Sequence, residues 1–348
     1  MALPLVPAGE LDGDAGFGPG GVSARATESG VLVSRLRCLS LHSPDLSHEH
    51  WRRALEASPG LSVAQGRTMT GVIGDHLYEI DVASGEVVDR VPWQGEVTIV
   101  GWGPDLIITR RVRTLETIDR GGKLIWTIEK EGARGVVANT ADRLIALRDF
   151  SYRLSCLSVA SGESQWEFQA KPEYGGGQGD DSAQIIEVAI VADRVLALVR
   201  NGRVFSLSLE SGEIVKAGRA EFVGIPRISA TSVFFVQPGG YSEFSHLEMK
   251  ELYRDEYPDL VQPLYVGSPT VHAFALTTDS LVWTTRDGAF IGVSRDRKAP
   301  RKVWRHSIPG SLMPILQHPF VYRDALYYES KGLDRQANKL VRFVSQSP

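Results

Sequence analysis

A short strand–turn–strand pattern recurs along the whole 348-residue chain, and this recurrence limits the possible folds more than any other feature. The clearest copies are LYEIDVASGEVV (77–88), LETIDRGGKLIW (115–126), LSCLSVASGESQW (154–166) and VFSLSLESGEIV (204–215). In each, apolar residues alternate, a small-residue turn ends in glycine, and a second short apolar run follows. Alternation with period two is what a strand with one buried face requires. The turn glycine supplies the positive φ that a tight hairpin needs. Weaker copies begin at Leu36, Phe244, Phe290 and Leu340, so eight copies lie about 43 residues apart.

Each unit holds two further strands. Upstream of each copy lies a run entered through a turn: GPDLIITR (103–110), ADRLIALR (141–148), ADRVLALVR (192–200), TDSLVWTTR (278–286) and RDALYY (323–328). An aspartate marks these turns at Asp105, Asp142, Asp193, Asp279 and Asp324, where a carboxylate accepts hydrogen bonds from nearby backbone N–H groups. Runs such as VTIVGW, GVVAN, EVAIVA and VHAFAL come before them. Only LSHEHWRRALEA (46–57) carries a helical spacing. Four strands per unit at this period predict an all-β chain: a single eight-bladed β-propeller of four-stranded blades, with seven blades as the alternative. Residues 1–30 are expected to form an N-terminal lead-in that closes the last blade against LVRFVSQ, and residues 31–348 the propeller.

Composition excludes several classes. Lys plus Arg number 38 against 42 Asp plus Glu, a net charge of −4, so the chain is no general polyanion binder and nucleic acid is not an expected partner. Two cysteines make neither a disulfide scaffold nor a four-cysteine zinc site. The N-terminus MALPLVPAGELDGDAGFGPGG lacks a basic segment followed by an apolar one, and no apolar run reaches membrane-spanning length. The expectation is a cytoplasmic, monomeric ring with no membrane span.

The pattern Asp-x-Leu followed by Leu-Tyr-x-Ile-Asp-x-Ala-Ser-Gly-Glu and a later Trp resembles the repeat of the pyrroloquinoline-quinone-like propeller family, over 77–93, 103–126, 142–166 and 193–215. Tryptophan–aspartate repeats are similar in shape. In the resembled family a Trp four residues beyond the turn glycine docks one blade on the next. Gly122 to Trp126 and Gly162 to Trp166 keep that spacing, whereas Gly85 and Gly212 are followed at this offset by Asp89 and Lys216, so the motif reads as degenerate there. Trp51 and Trp304 fall in comparable last strands. Quinone-dependent members carry adjacent cysteines, but Cys38 and Cys156 are far apart. The resemblance therefore implies the cofactor-free branch, in which the propeller is a scaffold for protein binding and no cofactor is held.

Four groups of residues are candidates for function. The second strand of several units ends in a cation: Arg35, Arg110 with Arg111, Arg148, Arg200 and Arg286, with Lys331 roughly equivalent. Repeats place equivalent residues at equivalent radii, so these would form a basic ring on one face and attract an acidic protein partner. The bland reading is strand-end arginines pairing with neighbours such as Asp149 or Asp287. In the insertion KPEYGGGQGDDSA (171–183), Tyr174, Asp180 and Asp181 are candidates to touch a partner at the ring's mouth, the bland reading being a disordered surface loop. It is no phosphate loop, since no Lys-Ser or Lys-Thr follows. His42, His48 and His50 cluster in LHSPDLSHEHW and form a weak metal candidate that matches no zinc spacing. His272 and His318 fall on expected inner strands near a central channel. No nucleophile motif or diagnostic carboxylate pair appears. The reading is thus a non-catalytic module binding a protein through one rim. The alternative is a lyase or hydrolase with its site at the channel mouth.

Overall fold

The computed structural model of the chain describes residues 5–12, 23–35, 37–56, 63–65, 67–93, 98–102, 106–110, 114–119, 121–129, 135–148, 152–170, 183–220, 225–237, 240–256, 274–276, 280–284, 289–294, 303–307, 320–323, 325–330 and 339–345. Regular structure there is β-strand, and the strands form eight four-stranded antiparallel sheets. The sheets fall into two compact units. One combines residues 1–90 with 261–348, and the other spans 91–260.

The first unit holds four sheets. Strand β1 (Leu5–Asp12) lies antiparallel to the last strand of the chain. The next sheet is β2 (Ser23–Thr27), β3 (Gly30–Arg35), β4 (Cys38–His42) and β5 (Glu49–Ala54). It is followed by β6 (Val63–Gln65), β7 (Thr68–Ile73), β8 (His76–Asp81) and β9 (Val87–Pro92). The second unit holds β10 (Thr98–Trp102), β11 (Leu106–Arg110), β12 (Thr114–Asp119) and β13 (Leu124–Glu129); then β14 (Gly135–Asn139), β15 (Arg143–Arg148), β16 (Arg153–Ser158) and β17 (Ser164–Gln169); then β18 (Ile185–Val191), β19 (Arg194–Val199), β20 (Arg203–Ser208) and β21 (Ile214–Arg219); then β22 (Ile225–Ile228), β23 (Ser232–Gln237), β24 (Gly240–Ser245) and β25 (Lys250–Glu256). The chain returns to the first unit with β26 (Phe274–Leu276), β27 (Ser280–Thr284), β28 (Ala289–Ser294) and β29 (Val303–Ser307). It ends with β30 (Phe320–Tyr322), β31 (Ala325–Ser330) and β32 (Lys339–Ser345), on which β1 is the fourth strand. The chain is an all-β propeller built from four-stranded antiparallel sheets. The stretch with helical spacing contains strand β5 instead, whose alternating burial shows that period two prevails there.

Burial explains the sequence pattern. Central strands β15, β16, β19 and β20 are buried along nearly their whole length, because each sheet is covered on both faces. Alternate residues of β15 serve opposite neighbours. Leu144 and Ala146 pack with Leu115 and Trp126 of the preceding sheet. Ile145 and Leu147 pack with Val195, Ala197, Val199 and Phe205 of the following one. In the first unit, Leu32, Leu39 and Leu41 pack on Met69, Ile73 and Ile80. Val31, Val33 and Leu46 pack on Ala325, Tyr327 and Leu340, and the Tyr327 hydroxyl donates to the Pro44 carbonyl.

A repeated clasp joins successive sheets. The indole N–H of Trp51 donates to the Val82 carbonyl at 2.9 Å, that of Trp126 to Val159 at 2.7 Å, and that of Trp166 to Leu209 at 3.0 Å. Each acceptor is the second residue of the next sheet's hairpin turn. Its own N–H donates to the entry turn of its sheet: Val82 to Arg67, Val159 to Asp142, and Leu209 to Asp193, at 2.7–3.0 Å. One residue thus satisfies its donor within its sheet and its acceptor from the sheet before. The indole face lies on the turn glycine. A methyl group on Gly85, Gly162 or Gly212 would come within 2.5–2.7 Å of the Trp51, Trp126 or Trp166 ring, and these glycines hold φ of 72–73°. Trp51, Trp126 and Trp166 stand opposite Leu41, Thr117 and Cys156, each immediately beside a bulge in the strand pair. The motif is therefore complete at Gly85 and Gly212 as acceptors of the preceding tryptophan. Reading each glycine with the tryptophan that follows it in sequence misassigned the partners.

Gly122 has φ 82° but nothing closer to an added methyl than 3.7 Å. Gly162→Ala is therefore expected to cost about 3 kcal/mol, from strain plus collision with Trp126, and Gly122→Ala about 1 kcal/mol, from φ alone. Urea denaturation of both variants checks this, and equal losses would remove the clasp as a source of stability. The turn carboxylates set an acid limit. A Ser84 N–H holds Asp81, and the Thr140 hydroxyl holds Asp142, below the usual range; Ser43 and Ser47 do the same for Asp45. Depressed native values stabilise the fold above the ordinary carboxylate range and lose that contribution as pH falls. Stability should be flat from pH 7 to about 5 and decline below about pH 4, read by thermal melts across pH.

Candidate functional site

Of the arginines expected to form a ring, Arg148 and Arg200 have described side chains, and they lie on two neighbouring hairpins of the second unit. Arg148 ends β15 directly opposite Arg153, which opens β16. In the next sheet Arg200 follows β19, its N–H donating to the Gln184 carbonyl at 2.8 Å. Arg203 opens β20 opposite Arg219 of β21. Its N–H donates to Asn201, and its guanidinium lies 4.6 Å from the Phe205 ring centre. Arg153 pairs with Glu167 at 3.2 Å, and Ser155 donates to the same carboxylate. Like charges directly opposite on paired strands cost stability. Two such pairs, Arg148 with Arg153 and Arg203 with Arg219, stand on these hairpins, with Glu167 paired to Arg153. Sequence reading found Arg148 and Arg200 through their repeat phase. It missed Arg153, Arg203 and Arg219, which become cross-strand neighbours only through the hairpin register.

Other expected residues are placed differently. Arg110 ends β11 opposite Leu115, and its side chain lies outside the described residues, as does that of Arg35. Arg111, Arg286, Lys331, Tyr174, Asp180, Asp181, His272 and His318 lie outside them entirely. The three histidines do not converge. His42 is buried, its Nε2 2.9 Å from the Ser40 hydroxyl and 3.7 Å from Glu49, whereas the exposed His48 and His50 rings meet edge to face at 5.1 Å. Among the described residues no three metal-ligating side chains come together.

Charged residues also stand on the first strands of sheets. Burial lowers the pKa of Arg25 on β2 from its ordinary value, and that of Arg227 on β22 as well, against an opposing pull from Glu187 on β18. The signal was present in IPRI and IIEVAIV, apolar runs each broken by one charge. Both cysteines are free thiols. Burial pushes the Cys156 thiol up to about 11, and its Sγ faces the Gln165 amide oxygen at 3.6 Å.

Comparison with known proteins agrees with this architecture. Residues 92–220 match the model of the family described as outer membrane protein assembly factor BamB. Over this segment the chain is similar to that pyrroloquinoline-quinone-like propeller family. The matched segment of the propeller contains the Trp126 and Trp166 clasps and the arginine hairpins. BamB from Moraxella catarrhalis superposes with a TM-score of 0.62 at 15% identity, over 98% of this chain and 100% of that one. The computationally designed Ika8 protein gives 0.62 at 10% identity, over 96% and 99%. Hsv2 from Kluyveromyces lactis, with its loop 6CD complete, gives 0.54 at 11% identity, over 82% and 98%. At these identities the likeness shows the fold. No curated protein matches the propeller in sequence.

Cys156 should resist iodoacetamide at pH 8 in the folded propeller while the partly exposed Cys38 reacts, because only the thiolate attacks. Peptide mass spectrometry reads the two adducts separately, and equal labelling would contradict the burial of Cys156.

Proposed function

We propose that the propeller is a non-catalytic interaction module that binds a protein partner through the rim formed by the β15–β16 and β19–β20 hairpins, recognising acidic groups with Arg148, Arg153, Arg200 and Arg203. The observation that carries this reading is the pair of like-charge cross-strand contacts at one rim, Arg148 opposite Arg153 and Arg203 opposite Arg219. Arginine suits such a role, because its planar fork meets a carboxylate with two parallel hydrogen bonds. Rigid hairpins hold the groups at little entropic cost on binding. The matched family's description as an assembly factor supports a role in holding other proteins.

The test is capture of partners from a native extract by the tagged chain and by the Arg148→Glu/Arg200→Glu variant. The variant should lose its stoichiometric partner, with capture reduced at least about tenfold, and capture by the parent chain should weaken with salt. Its melting temperature should match the parent's or exceed it, because the Arg148→Glu change relieves repulsion from Arg153. Unchanged capture by a folded variant would refute the rim.

A further inference from the structure

We infer that His48 and His50 form a bidentate site for a divalent cation of the zinc class beside the outer strand β5, with the ion's remaining positions open to water. The site uses no residue of the arginine rim.

Internal comparison of the outer strands carries the argument. His50 is the extra residue of a bulge, between Glu49 opposite His42 and Trp51 opposite Leu41. The same bulge recurs on β13, β17, β21 and β25, where the extra residue is Ile125, Gln165, Val215 or Leu252. Two residues earlier those strands carry Lys123, Glu163, Glu213 and Lys250. The phase thus pairs a charged residue with an aliphatic one or a glutamine. At β5 both positions are histidine, and both are exposed. Neutral imidazole is a strong ligand for divalent ions such as zinc.

The spacing of the rings suits one ion. Zinc binds an imidazole nitrogen at about 2.0–2.1 Å, on the line from the ring centre through that nitrogen. The centre lies about 1.2 Å behind the nitrogen, which puts it about 3.2 Å from the ion. Two rings at the tetrahedral angle then have centres about 5.2 Å apart, and at a right angle about 4.5 Å. The His48 and His50 ring centres are 5.1 Å apart, the rings meeting edge to face with planes at 81°. The Cβ–Cγ bond points nearly at the ring centre. Rotation about it redirects the nitrogens without displacing that centre, and this torsion is soft.

The backbone holds the pair. The His48 N–H donates to the Ser43 hydroxyl at 3.0 Å, and its carbonyl accepts the Ser43 N–H at 2.8 Å. The β4–β5 hairpin therefore fixes one histidine and the bulge fixes the other. Among the described residues neither ring has a hydrogen-bond or ion-pair partner. The carboxylates of the hairpin are engaged elsewhere. Glu49 accepts from Arg52 at 2.7–3.0 Å, and Asp45 accepts from Ser43 and Ser47. Among the described residues no third protein donor joins the pair, which leaves positions for water. Magnesium, which takes oxygen ligands, does not suit it.

The test uses the full untagged chain, stripped of metal with a chelator, and zinc chloride as the probe. Calorimetric titration should show one zinc ion bound per chain and no comparable binding of magnesium. His48→Lys and His50→Val install residues that other outer strands carry at these positions, so both variants should melt with the parent. Each should weaken zinc binding at least about tenfold, because losing a direct ligand costs no less than losing its support. His76→Gln should bind zinc within about twofold of the parent. In the parent chain, zinc should shield His48 and His50 from diethylpyrocarbonate while His76 reacts as before, read by peptide mass spectrometry. Sedimentation should not change with zinc. Unchanged zinc affinity in either folded variant, equal binding of magnesium, or His48 and His50 that stay reactive under saturating zinc would overturn the site. A zinc-dependent dimer abolished by His50→Val would overturn the open coordination, by assigning those positions to a second copy.

Discussion

The architecture depends on one contact repeated between sheets: an indole lying on a turn glycine while its N–H reaches the turn's second carbonyl. A propeller blade cannot stand alone, because its central strands are apolar on both faces and need a sheet on each side. Dispersion between aliphatic layers provides most of the attraction but fixes little in register, since one methyl-lined face slides over another at small cost. The clasp removes that freedom. It is directional, it satisfies a buried carbonyl, and it requires a backbone shape that only glycine adopts without strain in contact with a ring. The adjoining bulge aims the tryptophan out of its own sheet and onto the next.

Seen this way, the seams differ in kind. Those closed by Trp51, Trp126 and Trp166 have a glycine beneath the ring. The seam at β21 has lost the ring and the glycine together. Lys216 bonds to a neighbouring turn carbonyl, Gly218 lets the strand draw close, and Met249 accepts a left-handed backbone. These changes are mutually consistent. A lysine there keeps a hydrogen bond but buries less apolar area than an indole, so the seam is held less firmly. The same reasoning separates the arginine hairpins from ordinary strand ends. Opposed like charges oppose folding.

The proposed rim would act through charge, which reaches outward and falls with salt.

The sequence by itself determined the strand content, the four-strand unit, the turn chemistry and the repeat phase that marks Arg148 and Arg200. Period-two alternation and glycine-terminated turns are local properties, legible wherever they recur. It determined too that Trp126 and Trp166 sit where a docking residue belongs. Only the tertiary structure decided what they dock on, because the acceptor glycine lies one sheet further along the chain. The pairing of Arg153 and Arg219 with their neighbours likewise depends on register, which in the β20–β21 pair a bulge beside Ser206 shifts by one residue without leaving a mark in composition. The isolation of His42 from His48 and His50 follows from one side chain turning inward to Ser40 while the others stay in water. Contacts made through space between repeats are set by packing, and a linear pattern states which residues are available but not which of them meet.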